Sequence, residues 1–473
     1  MEKSRQPIVT VLGHVDHGKT TLLDSIRETN IATREIGGIT QSIGASVVAT
    51  GDGKKITFID TPGHAAFSQM RSRGANVADI AILVVAADDG VKPQTKEALE
   101  YIRKAGIPFI VAATKIDLPS ASVATVKGQL EKEGVALEGK GGDTPIVSVS
   151  AKTHKGINEL LEMISLVSEL REIKADPDAD LEAVVIETRK DKKGPLASVV
   201  VRNGSLKVGN DVVSEGYQTR IRGIFDSSGK SVKEVYPGDP AMVLGFEKFP
   251  AVGAKITSAG GKKEGASEKV EKKAFDKAKL KADETPIVVK ASSTGALETI
   301  LSNLPEKIMV ISSGIGDVNE SDIFTAKAGS SIKLQEPARI IVFESKVPST
   351  VAKLAETEGI EIKPFKIIYE LFQELENINK RKEIHILGKA NILAAFPFEN
   401  ERVAGCKVVE GRIEKGDNIN LERNGKKIGE AKIRSMKKEK KDITIAKMGE
   451  EFGVIFTPQV DFNIGDVVLS VRK

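Results

Sequence analysis

Residues 13–20 read Gly-His-Val-Asp-His-Gly-Lys-Thr and follow the apolar run Ile8–Leu12. The spacing G-x-x-x-x-G-K-[ST] after a strand is that of a phosphate loop. Gly13 and Gly18 let the backbone bend close to an anion. The N–H groups that open the helix expected over Thr20–Ile26 point at phosphates. His14, Val15, Asp16, His17 and Thr21 complete the cradle. Lys19 can reach β- and γ-phosphates, and the Thr20 hydroxyl can ligate Mg²⁺.

Three further groups end apolar runs. In Asp60-Thr61-Pro62-Gly63-His64 the carboxylate can hold Mg²⁺ through water, the Gly63 N–H can meet a terminal phosphate, and His64 can sit beside an attacking water. A lone histidine is more often structural; its place after Asp-Thr-Pro-Gly, downstream of a phosphate loop, reverses that balance. In Thr114-Lys115-Ile116-Asp117 the aspartate can accept from guanine N1–H and the 2-amino group, a pair that adenine lacks. Unpaired buried polar groups support discrimination of about 10⁴ or more. At Ser150-Ala151-Lys152 a backbone N–H can donate to guanine O6. Four loops in this order favour GTP over ATP. Between the first helix and the Ile56 strand, Glu35–Gly44 carries paired glycines and Thr40, placed to reach Mg²⁺ and the γ-phosphate. Losing that phosphate would release the loop. Val15 and Ile39 either gate His64 from the water or simply pack the loop.

The elements that must position these loops are short strands, Ile8–Leu12, Ile56–Asp60, Ile80–Ala87, Ile107–Thr114 and Ile146–Ser150, with helices over Gln94–Ala105 and Ile157–Leu170. This alternation predicts a mostly parallel sheet wrapped by helices, with ligands at the strand C-termini. From Leu181 to Ala259 short strands and glycine turns predict an antiparallel β-barrel. Gly204–Asn210 matches Gly411–Asp417 in spacing and polarity, with later glycines at Gly253 and Gly465, so a second barrel is expected over 383–473. Gly261–Asp283 is rich in Lys, Glu and Ala and reads as a linker or a lone helix. Residues 285–365 alternate strands and helices as a small α/β domain, and Ile367, Ile368, Leu371, Phe372 and Leu375 give 366–382 helical spacing. Core packing is the default reading of those apolar positions, with a rigid inter-domain arm preferred as an addition.

The fold class is thus multidomain α/β and β. It comprises a P-loop nucleotide domain (1–173), a β-barrel (178–260), a linker (261–284), a small α/β/α domain (285–365), a linker helix (366–382) and a C-terminal β-barrel (383–473). A chain of 473 residues accommodates several domains. A hydrophobic share of 40% and a charged share of 29% are those of ordinary soluble protein. No apolar run reaches transmembrane length, and the first residues carry no signal-type segment. One cysteine, Cys406, excludes an internal disulfide and fits a reducing, cytoplasmic setting. A net charge of +4 excludes a globally basic nucleic-acid binder, so RNA contact must come from local patches. Aromatics at 4%, without tryptophan, argue against many base-stacking platforms. One local patch is Lys432, Arg434, Lys437, Lys438, Lys440 and Lys441, by default a solvated hairpin.

With these residues in view, the chain resembles translational GTPases, through Gly13–Thr20 and Asp60–His64. More narrowly it resembles bacterial translation initiation factor 2, through Gly37-Gly38-Ile39-Thr40-Gln41, Lys290–Glu298, Gly316–Asp322 and Gly405-Cys406. The resemblance spans essentially the whole chain. It implies a GTPase domain, a barrel, a small α/β domain and a terminal barrel joined by helical linkers; the family often has a long N-terminal extension, and with the first strand at Ile8 that extension is absent or was removed. It implies a monomer, off the membrane, that binds formylmethionyl initiator tRNA on the small ribosomal subunit and promotes joining of the large subunit, whose RNA triggers hydrolysis. His64 carries over as the water-positioning residue; Lys19, Thr20, Thr40 and Asp60 to phosphate and Mg²⁺; Asp117 to guanine; Asp16 to a monovalent cation. The last barrel carries over as the tRNA-end binder with Cys406 in its pocket, while Cys406 by itself reads equally as a small buried apolar residue; in such an RNA-handling module the basic patch, with Arg434, Lys437 and Lys438, becomes a phosphate contact whose binding would fall with salt.

Four features depart from the family. Thr114 replaces the usual asparagine that braces the phosphate loop, and can still donate one hydrogen bond. Ser42 stands where histidine is common. Phe452 replaces a cysteine and could fill part of the formylmethionine pocket. Ser331–Ser345 fits the third domain poorly. Two rival readings stay open: an elongation or selenocysteine-tRNA type GTPase, and a GTP-gated RNA-binding scaffold that needs no hydrolysis.

Overall fold

The computed structural model describes residues 3–29, 40–41, 43–51, 53–63, 65–139, 141–259, 284–330, 338–381, 385–398, 401–423, 426–439 and 441–472. The chain divides into two compact units, Met1–Glu376 and Asn377–Lys473.

The first unit opens with β1 (Ile8–Gly13), β2 (Gly44–Ala49), β3 (Lys55–Asp60), β4 (Ile80–Ala86), β5 (Phe109–Thr114) and β6 (Ile146–Ser148), in the sheet order β2-β3-β1-β4-β5-β6. All pairings are parallel except the edge pair β2–β3. Every residue of β1 and β4 is buried, which is why both read as unbroken apolar runs and not as alternating ones. Their side chains still divide by parity. Val9, Val11, Ile82 and Val84 join the core under α1 (Lys19–Arg27). Leu12, Ala81, Leu83 and Val85 join the opposite core, with Leu99 and Ile102 of α3 (Pro93–Ala105) and Val126 and Leu130 of α4 (Val123–Lys132). Helix α2 (Ser68–Val77) lies between α1 and α3 in the chain, and α5 (Ile157–Leu170) closes the domain on the α1 face. The strands and helices expected from sequence form within about two residues of their expected ends. The sequence reading missed β2, α2 and α4.

An antiparallel barrel follows, centred on the hairpin of Glu182–Asp191 and Gly194–Asn203, whose alternate residues Ala183, Val185, Ala197, Val199 and Val201 fill its core. A four-stranded parallel sheet comes next, in the order Ile308–Ile315, Thr285–Ala291, Arg339–Phe343, Glu361–Phe365, with helices α6 (Thr294–Ser302), α7 (Glu320–Ser330) and α8 (Ser349–Glu358). Helix α9 (Ile368–Arg381) begins directly after it and buries Ile368, Leu371 and Leu375. Barrel and sheet are joined by Glu187, 5% exposed, which accepts from Gly295 N–H at 3.1 Å and Ser293 Oγ at 3.0 Å at the start of α6. Burial pushes its carboxyl above the usual range.

The second unit is a barrel. Its strands run in the order His385–Phe398, Val467–Arg472, Asn418–Arg423, Lys426–Lys438, Glu451–Thr457, Glu401–Glu414, Ile445–Lys447, and the first strand also pairs with Glu401–Glu414. The repeat read from sequence extends to individual bonds. Gly209 and Gly416, at φ +93° and +94°, donate to Ile221 O and Ile433 O. Gly253 and Gly465 donate to Val185 O and Ile392 O, which lie on the first long strand of each barrel.

The linker 261–283 and residues 331–337 of the poorly fitting stretch lie outside the described residues. Among the described residues no helix is long and apolar enough to cross a membrane.

Candidate functional site at the strand ends of the parallel sheet

The phosphate loop leaves β1 at Gly13, where a Cβ would stand 2.4 Å from Val84 O. Helix α1 starts on Gly18, at φ +87° and with no side-chain cap, so its first-turn N–H groups have no intrahelical partner. Asp16 also takes a left-handed conformation, φ +59°, and is exposed, as is Thr21. Lys19, 6% exposed, folds back to donate to the His14 carbonyl. Burial lowers its pKa to about 8, opposed by the Asp60 carboxylate. Asp60 and Thr61 are buried at the end of β3, and Thr61 Oγ1 donates to Val11 O at 2.8 Å. Gly63 lies so near Lys19 that a Cβ would be 2.4 Å from Nζ. The Thr20 and Thr40 hydroxyls are 2.8 Å apart.

The base-side loops stand beside this group. Thr114, 3% exposed, donates from Oγ1 to His17 O at 2.6 Å. The substituted residue therefore braces the phosphate loop with its single hydroxyl. His17 Nδ1 accepts from Ala86 N–H at 3.2 Å, so Nε2 carries the proton toward Asp89 Oδ2, 3.3 Å away. Burial lowers the His17 pKa to about 4, which leaves the ring neutral near pH 7. Lys115 is left-handed, φ +58°, and 3.9 Å from Asp88 Oδ2. Asp117 is exposed and accepts from Ser150 Oγ at 2.7 Å, a bond that holds its carboxyl below the usual range. Ala151 is half-buried and Lys152 exposed beyond it.

Among the expected nucleotide residues, Gly13–Gly18, Asp60, Gly63, Thr114, Lys115, Asp117 and Ser150–Lys152 lie at the C-terminal ends of the parallel strands or in the loops that leave them, Lys19–Thr21 open α1, and Thr40 precedes the antiparallel edge strand β2 with its hydroxyl against that of Thr20. His64, Ile39 and Ser42, expected at the site, lie outside the described residues. The donor set fits a magnesium nucleotide: uncapped N–H groups, a glycine cradle against an ammonium, and two hydroxyls at one point. Four residues that the sequence reading missed hold the loops. Gln94 Oε1 accepts from Val15 N–H at 2.9 Å. Buried Arg71 pairs with Glu97. Gln41, 6% exposed, donates to Lys366 O at 2.8 Å and Glu344 Oε1 at 3.0 Å and accepts from Ile368 N–H at 3.0 Å. Only Gln41 carried a signal, as the last residue of the Gly37–Gln41 motif.

In the second unit two of the residues expected at the tRNA end lie inside the barrel. Cys406 and Phe452 sit opposite each other on paired strands and are 1% and 4% exposed in the barrel core. Burial raises the Cys406 thiol pKa to about 12. Both side chains are core, packed among Ala404, Val408 and Val454. Arg434 and Lys437 are exposed, with Lys437 3.8 Å from Asp442 Oδ1. Lys438 pairs with Glu450 at 2.8 Å.

Comparison with known proteins gives the class of the chain. The family model for the elongation factor Tu GTP binding domain matches residues 4–169, and that for elongation factor G domain 2 matches 180–259. Together with the phosphate and base loops they define a translational GTPase. The model for translation-initiation factor 2 matches residues 261–376. Translation initiation factor IF-2 of Thermotoga petrophila is 40% identical over 98% of this chain and 70% of its own length. That of Dehalococcoides mccartyi is 40% identical over 99% and 82%. The chain belongs to the translation initiation factor IF-2 family, as a GTP-binding factor of protein synthesis. A crystal structure of GDP-bound aIF5B from Aeropyrum pernix is 27% identical over 99% of this chain and 92% of its own, with a TM-score of 0.49.

Proposed function

We propose that this factor binds magnesium-GTP at the strand ends of β1, β3 and β5, and hydrolyses it when the ribosome orders the site. The meeting of the Thr20 and Thr40 hydroxyls at 2.8 Å, beside the Lys19–Gly63 contact, carries the reading. Residues 13–21 enclose the phosphates, and Lys19 neutralises them. Thr20 and Thr40 would hold Mg²⁺ directly and Asp60 would hold it through water; the metal would neutralise charge on the phosphate oxygens. Gly63 N–H meets the γ-phosphate and His64 orients the water. Asp117 reads guanine, with Lys115 and residues 150–152 closing the base side. Exposed Asp16 is the proposed monovalent-cation contact.

The partners follow from family membership: both ribosomal subunits, in the cytoplasm, and formylmethionyl initiator tRNA, with Arg434, Lys437 and Lys438 as candidate phosphate contacts. The domain boundaries set out from sequence complete the proposal. His64→Ala should keep GTP affinity within about twofold while ribosome-stimulated turnover falls by about 10² or more. Full stimulated turnover in that variant would reject the role.

A further inference from the structure

Helix α3 carries Gln94, Glu97 and Tyr101 at positions i, i+3 and i+7, one face of the helix. That face holds both loops that converge on Lys19. Gln94 ties down the Val15 N–H of the phosphate loop at 2.9 Å. Glu97 takes Arg71 Nη2 with both oxygens, at 3.0 and 2.9 Å, and accepts from the Tyr101 hydroxyl at 2.6 Å. Arg71, on α2, is 0% exposed, and its Nη1 donates to the Pro62 carbonyl at 3.2 Å.

The Pro62 carbonyl and the Gly63 N–H belong to one peptide unit. In a planar trans peptide they point in opposite directions. Fixing the carbonyl on Arg71 therefore fixes the N–H pointing away from Arg71, on a residue that packs against Lys19. A cationic donor on the carbonyl also polarises the peptide and strengthens its N–H as a donor. A buried guanidinium is costly unless it is paired. Glu97 meets that need, and the second arm of the guanidinium is directed at the loop.

We propose that Arg71 is a positioning residue for the terminal phosphate: held by Glu97, it sets the Pro62–Gly63 peptide so that its N–H is presented to the γ-phosphate, and so governs preference for triphosphate over diphosphate. This rests on the reading of loop 60–63 given above. The test uses the full chain with fluorescent GDP and a non-hydrolysable GTP analogue, comparing parent, Arg71→Met, Arg71→Lys and Glu97→Gln. Arg71→Met should leave GDP affinity within about twofold and lower triphosphate affinity about tenfold, the equivalent of one hydrogen bond. Arg71→Lys should recover part of that loss. Glu97→Gln acts from the partially exposed side of the pair and should shift the same ratio less, which gives a readout that does not depend on the buried substitution folding well. Parallel loss of both nucleotides would make the pair purely structural and overturn the proposal, as would an unchanged ratio in both variants. A parent chain that binds guanine nucleotides but does not distinguish the two overturns the reading of loop 60–63 itself, a result separable from either failure of Arg71.

Discussion

The Thr114 hydroxyl and the His17 carbonyl, 2.6 Å apart, connect the end of β5 to the phosphate loop. Thr114→Ala would leave that carbonyl without its partner in a buried place, at a cost of about 1–3 kcal/mol. GTP and GDP affinity should both fall by about tenfold or more, because the loop serves the phosphates common to both. Thr114→Asn keeps a donor and should retain affinity; calorimetric titration of both variants checks this, and unchanged binding by Thr114→Ala contradicts the brace. The residue types that carry phosphate chemistry were legible because their spacing is local and follows strands. Arg71 and Glu97 were not: they lie 26 residues apart, and nothing in a polar helix marks one charge as buried. The buried reading of Cys406 was legible beside the pocket that the resemblance implies, because the alternation Ala404, Cys406, Val408 points all three to one face.

Among the elements, β1 and β4 declared themselves through burial on both faces. The two barrels were legible through their repeated glycine spacing. Helix α2 escaped notice because Ser-Gln-Met-Arg-Ser-Arg-Gly-Ala-Asn-Val has no apolar stripe; it forms because Met70, Arg71, Ala75 and Val77 are buried by tertiary packing. Helix α9 was legible from its spacing, but its anchor was not, since Gln41 precedes Ile368 by 327 residues. Gln41 accepts the first N–H of α9 and donates to Lys366 O just before it. It thereby joins the loop of Thr40 to the strand ends of the second parallel sheet. Gln41→Ala should destabilise the first turn of α9 by about 1 kcal/mol, by analogy with loss of a cap. Amide exchange over 368–371 should then quicken about fivefold, and unaltered exchange there would show that the turn does not depend on this side chain.

At the scale of the whole molecule, the sequence carried the order of modules, because each one switches the hydrophobic period or the glycine spacing. It did not carry the bonds that tie the modules of the first unit together. Glu187, which accepts from the start of α6, and Gln41, which accepts from the start of α9, join positions more than a hundred residues apart, and such pairings emerge only when separate sheets dock. A near-neutral chain, at +4, leaves nucleotide recognition to fixed local geometry. The central claim is that four strand-ending loops form one cage for magnesium-GTP, read by Asp117 at the base and by Gly63 at the terminal phosphate. The most direct measurement is a calorimetric titration of the intact factor with GTP and with ATP, each in Mg²⁺. The expected outcome is GTP binding tighter by about 10³ or more, with Asp117→Ala losing most of the difference. Equal affinity for the two triphosphates would contradict it.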